Sequence, residues 1–372
     1  MKLFTIVGTR PELIRLAEIM RKADKFFDHK IVHTGQNHDY ELNEIFFNDL
    51  NIRKPDYFLN SVGKTPMETI SKILYSIDKI FEKEIPDAIL ILGDTNSSLC
   101  AIPAKRKKIP IFHMEAGNRC FDSNVPEEIN RRIVDHISDI NLPYSQISRE
   151  HLISEGIKPQ NIIVTGSPLK EVITKHQNKV SKSYILKKLK IKKNDFILVS
   201  SHREENVDSR NKLKDLINCL TALKKKYKKE VIFSTHPRTK NKLIEFFPDL
   251  TNDIQFLKPF GFIDYLKLQL SAFITLSDSG TITEESNILG FNAINLRESH
   301  ERPEGFEQGG VIFAGYDLEK IISAIDFLTS KGNTGFKTVL DYDVDDCSTK
   351  IIKIIMSYIS YVNKYTWFKE LK

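Results

Sequence analysis

Short runs of Ile, Val, Leu and Phe recur along the chain. Between most of them lie stretches of ten or more residues whose apolar positions return every three or four places. The runs fall at 2–7, 29–33, 88–92, 109–113, 140–143 and 162–165, then at 196–200, 231–234, 254–256, 272–276 and 293–296. None alternates cleanly between apolar and polar, which is the pattern of strands buried on both faces. Strand, helix and strand in succession predict an α/β fold with parallel, doubly wound sheets. The rhythm pauses between Gly166-Ser167-Pro168 and Asn194-Asp195, where a helical patch and a lysine-rich stretch intervene. The expected architecture is therefore two Rossmann-like domains, 1–168 and 169–347, with a central cleft at the strand C-terminal ends. A last segment, 348–372, has helical spacing through Ile351, Ile352, Ile354, Ile355, Tyr358 and Ile359 and is expected to pack back on the first domain.

Composition narrows the class without changing this picture. A chain of 372 residues suits two domains of roughly 150–200 residues each. Apolar residues at 41% and charged residues at 28% describe a globular chain. The net charge of +6 is mild and fits a small anionic ligand at least as well as nucleic acid. The basic clusters, such as Lys105-Arg106-Lys107-Lys108, are not interleaved with aromatics, so no nucleic-acid partner is expected. Four widely spaced cysteines without a CxxC pair argue against a disulfide or zinc framework and for a reducing, cytoplasmic compartment. The apolar start at 3–7 is too short for a signal-peptide core, and no apolar run approaches membrane-spanning length.

The candidate chemistry gathers immediately after the strand-like runs. At its centre is His113-Met114-Glu115-Ala116-Gly117-Asn118-Arg119, continuing to Pro126-Glu127-Glu128-Ile129-Asn130-Arg131. Apolar residues at Ile129, Ile133, Val134, Ile137 and Ile140 give the segment after Pro126 helical spacing, with Pro126 at the first helical position. Glu127, Asn130 and Arg131 then share one face. A capped helix with surface charges is an equal reading of this stretch taken alone. Gly8-Thr9-Arg10-Pro11-Glu12 opens a helix whose free N–H groups, with Arg10 and Arg15 nearby, suit a phosphate. Neither GxGxxG nor GxxxxGK[ST] is present, so nicotinamide-dinucleotide and P-loop readings lose support. Asp94, in Gly93-Asp94-Thr95, caps a helix or faces a ligand. Further clusters are Ser200-Ser201-His202-Arg203, Thr235-His236-Pro237-Arg238, Ser277-Asp278-Ser279-Gly280 with Glu284-Glu285, and Glu301-Arg302-Pro303-Glu304. The small residues around Gly280 suggest a second phosphate cradle, with Glu284 or Glu285 accepting from ribose hydroxyls. Together they point to a nucleoside diphosphate whose attached group undergoes proton chemistry. No metal-ligand spacing is present.

Gly8-Thr9-Arg10-Pro11-Glu12, Gly93-Asp94-Thr95, Glu115-Ala116-Gly117, Pro126-Glu127-Glu128, His202-Arg203-Glu204, Ser277-Asp278-Ser279-Gly280, Glu284-Glu285 and Glu301-Arg302-Pro303-Glu304, in that chain order over roughly residues 1 to 310, resemble the motifs of the non-hydrolysing UDP-N-acetylglucosamine 2-epimerases, enzymes of the two-domain GT-B fold. The resemblance implies an isomerase that needs no cofactor, acts on a UDP-sugar and is a homodimer. UDP is eliminated anti to leave a 2-acetamidoglucal, and it adds back with C2 reprotonated on the opposite face. Carried over by motif, Asp94, Glu115, Glu127 and His202 form the catalytic group, with base and acid unassigned among the carboxylates. Arg10, Arg15, Arg131, Ser279, Gly280, Glu285 and Arg302 bind the UDP-sugar.

Three departures qualify the match. Arg15 replaces the commoner lysine, which keeps the charge but changes its hydrogen-bond geometry. Asn118-Arg119-Cys120-Phe121 departs from Leu-Arg-Thr and looks more like the branch converting UDP-2-acetamido-2,6-dideoxy-L-talose to UDP-N-acetyl-L-fucosamine. Gly63-Lys64-Thr65-Pro66 lacks the Gly-Gln pattern found near the allosteric substrate site of some members. A UDP-sugar glycosyltransferase on the same fold is the alternative; it would share the UDP cradle but need not carry all three carboxylates.

Overall fold

The structure, a computed structural model, describes residues 1–36, 40–201, 207–247, 254–297, 302–330 and 338–369, without the side chains of 40–44. Among these residues, twelve strands form two six-stranded sheets, parallel throughout. The first holds β1 (Lys2–Val7), β2 (Asp28–His33), β3 (Tyr57–Phe58), β4 (Ala88–Leu92), β5 (Ile111–Met114) and β6 (Ile140–Leu142), in the order β3-β2-β1-β4-β5-β6. The second holds β7 (Phe196–Ser200), β8 (Glu230–Ser234), β9 (Gln255–Leu257), β10 (Ile274–Ser277), β11 (Ala293–Asn295) and β12 (Ile312–Phe313), in the order β12-β11-β10-β7-β8-β9. Counted from its own first strand, each sheet has the Rossmann order, with direction reversing between β1 and β4 and between β7 and β10. The fold class expected from the apolar pattern is the one observed.

The strand interiors are built mainly from apolar residues. β4, Ala-Ile-Leu-Ile-Leu, is buried at all five residues. In the first core Phe4, Ile6, Ile89, Ile91 and Ile111 pack against Ile77 and Phe81 of the helix Pro66–Lys83. In the second, Ile197, Val199, Leu276 and Ile294 meet Leu213, Leu216 and Leu220 of the helix Arg210–Tyr227.

Three sheet details differ from expectation. Residues 162–165 make only a bridge between Asn141 and Ile162, because the chain turns away through Gly166 at φ 74°. The two-residue edge strands β3 and β12 are too short to show a period in the sequence.

The chain divides into two compact units, 1–175 with 340–372, and 176–339. The divide falls inside the helix Leu169–Lys182 rather than ahead of it. The reason is a buried carboxylate near that helix's start. Glu171 accepts the Ser348 N–H at 2.8 Å and the Ser348 hydroxyl at 2.5 Å, tying the first turns to the terminal helix Cys347–Tyr365 in the same unit. Among the described residues no helix is long and apolar enough to cross a membrane.

Candidate active site

The first unit's polar side chains collect at the C-terminal ends of β1, β4 and β5, around its switch point. Helix α1 (Arg10–Phe26) leaves β1 through Gly8 and Thr9. Glu12, in the first turn, folds back so that its carboxylate accepts the N–H groups of Gly8 at 2.5 Å and Thr9 at 2.9 Å. The N–H groups of Gly8 and Thr9, just ahead of the helix, are therefore occupied, because a Glu at this position completes a capping box. The other Glu12 oxygen accepts from Thr95 Oγ1 at 2.5 Å, so one side chain ties the β1 loop to the β4 loop. Burial raises the Glu12 carboxyl to about 7 against these three donors. Arg10 begins α1, with its guanidinium carbon 5.9 Å from the Phe46 ring centroid.

Two carboxylates from adjacent strands follow, each held by an arginine. Arg15 Nη1 donates to Glu115 Oε2 at 2.8 Å, with both side chains largely buried. Asn118 Nδ2 donates to the other oxygen at 3.3 Å, and Ser148 Oγ donates to Asn118 Oδ1 at 3.1 Å. A leucine at 118, as in the commoner pattern, could make neither bond. Glu115 sits at φ 61°, a left-handed conformation that costs an ordinary residue roughly 1–2 kcal/mol and gathers at functional sites.

Asp94, after β4, receives Arg131 Nε at 2.9 Å and Nη2 from helix α2 (Pro126–Ile137). Arg131 Nη1 donates to Glu128 Oε2 at 2.9 Å, and Asn130 Nδ2 reaches the Asp94 carbonyl at 3.0 Å. Glu128 also accepts the Cys120 N–H at 3.1 Å. Burial would raise the Glu128 carboxyl, but the Cys120 N–H and the charge of Arg131 hold it below its ordinary range. Glu127 is half-buried on the same turn.

Helix α2 departs from an ordinary amphipathic helix. Ile129 and Ile133, two residues of its apolar periodicity, are 52% and 40% exposed, whereas Glu128, Asn130, Arg131 and Asp135 are buried. Its polar face turns inward because the loops after β4 and β5 supply charged and backbone partners for it. Glu128 lies in the central stretch but has no role of its own there, and Asp135 carries no sequence signal beyond its place four residues after Arg131.

In the second unit the loop after β10 carries Ser279 and Gly280 into the helix Ile282–Leu289. Ser279 Oγ and Thr281 Oγ1 are 3.0 Å apart, and Thr281 Oγ1 donates to Glu285 Oε1 at 2.8 Å. Gln269 Nε2 donates to Glu285 Oε2 at 2.5 Å. Glu285 is half-buried, while Glu284 is fully buried with Arg302 Nη2 3.7 Å from its carboxylate. Of the two glutamates named for ribose, only Glu285 has an accessible side chain. His202 and Glu301 lie outside the described residues. Among the described residues no three His, Cys, Asp or Glu side chains are grouped as a metal site.

A sequence model described as UDP-N-acetylglucosamine 2-epimerase matches residues 20–356. The UDP-N-acetylglucosamine 2-epimerase of Methanocaldococcus jannaschii is 38% identical over 340 residues, 89% of this chain and 93% of that protein. Among solved structures, that of UDP-N-acetylglucosamine 2-epimerase from Rickettsia bellii matches with a TM-score of 0.91 and 47% identity, covering 99% of this chain and all of the other. The M. jannaschii enzyme in complex with UDP-GlcNAc and UDP matches with a TM-score of 0.89 and 36% identity over 96% of this chain and all of the other.

Proposed function

The chain belongs to the UDP-N-acetylglucosamine 2-epimerase family, and from that premise we propose that it inverts C2 of a UDP-2-acetamido sugar by eliminating and re-adding UDP. The observation that carries this reading is the pair of carboxylates, Asp94 and Glu115, on neighbouring strand ends, each paired with a buried arginine. The C2 hydrogen has no adjacent carbonyl, so it leaves as a proton only while the C1–O bond to UDP breaks. One carboxylate takes that proton, the electron pair of the C–H bond becomes the C1–C2 double bond, and UDP departs with the C1–O pair. In the return step UDP adds to C1, and C2 receives a proton from the opposite face. Asp94, Glu115 and Glu127 are the proposed proton carriers, and His202 completes the proposed catalytic group.

Arg10, Arg131, Ser279, Gly280, Glu285 and Arg302 are the proposed UDP-sugar contacts. Arg15 joins them in a double role. Arg15 holds Glu115 through Nη1, and its positive charge would also favour the charge developing on the diphosphate.

UDP-GlcNAc and UDP-ManNAc are the proposed pair, supported by the names of the similar proteins. The 6-deoxy-L-talose branch is the second reading, favoured by Asn118-Arg119-Cys120-Phe121. We also propose a homodimer, which would cover Ile129 and Ile133, and a cytoplasmic location, which suits four free cysteines.

The test is incubation with UDP-GlcNAc in D2O without metal or nicotinamide cofactor, following C2 by NMR. Deuterium at C2 together with UDP-ManNAc is the expected result. Exchange only with the 6-deoxy-L-sugar nucleotide would move the substrate. Sugar transfer to an added acceptor with no C2 exchange would overturn the reading in favour of a glycosyltransferase.

A further inference from the structure

A single buried imidazole joins the loops that carry Asp94 and Glu115. His113 lies on β5, fully buried, two residues ahead of Glu115. Its Nε2 lies 2.8 Å from the carbonyl of Gly93, the residue before Asp94, and can only donate there. Its Nδ1 lies 2.9 Å from Asp135 Oδ1, off the line of a straight hydrogen bond. The buried Asp135 carboxylate accepts the Gly117 N–H at 3.2 and 3.3 Å and Arg119 Nη1 at 2.7 Å. Arg119 in turn forks onto Glu155, with Nε at 2.8 Å and Nη2 at 2.5 Å.

The chain of contacts therefore starts one residue before one carboxylate and ends two residues after the other. Both ends stand at unusual backbone. Gly93 is at φ 70°, Glu115 at φ 61° and Gly117 at φ 80°. A glutamate released from the left-handed region would relax into an ordinary one and swing its side chain.

We propose that His113 and Asp135 are positioning residues that set the separation of Asp94 from Glu115, and hence turnover rather than UDP binding. The inference rests on the assignment of those two carboxylates to the proton steps. Both positioning groups are shut away behind the strand ends, so they act through the carboxylates rather than on the substrate. Displacing a reacting group by about 1 Å costs on the order of 10²-fold in rate.

The two ends of the imidazole can be removed separately. His113→Gln keeps an amide near the Nε2 position, facing Gly93, and loses the side toward Asp135. His113→Asn keeps the side toward Asp135 and loses Gly93. Each variant, with Asp135→Asn as a third that preserves shape, is examined for kcat, KM, UDP dissociation constant by calorimetry and melting temperature. The expected result is a kcat lower by about 10²-fold in all three, with KM and UDP affinity unchanged. Near-normal kcat in a folded half-variant would overturn the proposal, as would kcat losses that merely track melting temperature. Glu115→Gln separates the two levels of inference. If it retains turnover, the catalytic assignment itself has failed; if it is inactive while the half-variants remain active, only the positioning role has failed.

Discussion

Arg131 spans two carboxylates: Nε donates to Asp94 Oδ2 at 2.9 Å, and Nη1 donates to Glu128 Oε2 at 2.9 Å. One guanidinium on α2 thus fixes a side chain from the end of β4 against a buried acid on its own helix. Removing it would leave Glu128, 2% exposed, as a buried charge without this partner.

Arg131→Ala should destabilise the protein, but by less than the about 3–5 kcal/mol of a buried charge left wholly unpaired, because Arg132 still donates to Glu128 Oε1 at 3.1 and 3.2 Å. Arg131→Lys should keep part of that stability, because the charge remains, but lose the fork that orients Asp94. Urea unfolding of both variants checks this. Equal stability for alanine and lysine would sink the electrostatic account.

Glu115→Gln should lower kcat by about 10²–10⁴-fold while leaving the affinity for UDP nearly intact. The amide keeps the shape beside Arg15 but cannot take a proton. Calorimetry with UDP is the companion measurement, and a large loss of binding would instead place Glu115 at the diphosphate.

Gly117→Ala and Gly93→Ala should separate backbone strain from steric overlap. Both glycines have positive φ, but a Cβ at 117 would lie 2.2 Å from the Ser148 carbonyl oxygen, whereas one at 93 meets nothing within 4 Å. Gly93→Ala should cost about 1–2 kcal/mol. Gly117→Ala should cost clearly more and also lower kcat, since the peptide to be displaced adjoins Glu115. Similar melting temperatures for the two variants would contradict this.

Stability against pH should show two buried groups opposing one another. Glu12 titrates at about 7 in the folded protein, raised from 4.5 by burial. Its stabilising contribution is fully present below about 4.5 and is lost as pH rises through 7. His33, fully buried and stacked on Phe58, is lowered by burial from 6.5 to about 4. Its contribution is present above about 6.5 and is lost as pH falls through 4. Between 4.5 and 6.5 the two slopes, each up to about 1.4 kcal/mol per pH unit, offset one another. Glu12→Gln should remove one of them, so that unfolding free energy rises more steeply with pH than in the unaltered protein. Identical slopes would show that Glu12 does not titrate in this window.

The sequence alone determined the repeated α/β architecture. Unbroken apolar runs such as Ala88–Leu92 have no solvent-facing alternative, and helical spacing between them leaves little room but for parallel crossovers. It also located the polar clusters, because residues just past a buried strand emerge at one edge of the sheet whatever the details of packing. Tertiary structure decided which polar groups meet. Arg15 and Glu115 are separated by 100 positions, and nothing local favours that pair over a phosphate. The inward polar face of α2 was hidden for the same reason, since periodicity ranks Ile129 and Ile133 above Glu128 and Asp135 for burial. Burial of a charge becomes favourable only when distant partners converge on it, and their convergence is a property of the folded sheet.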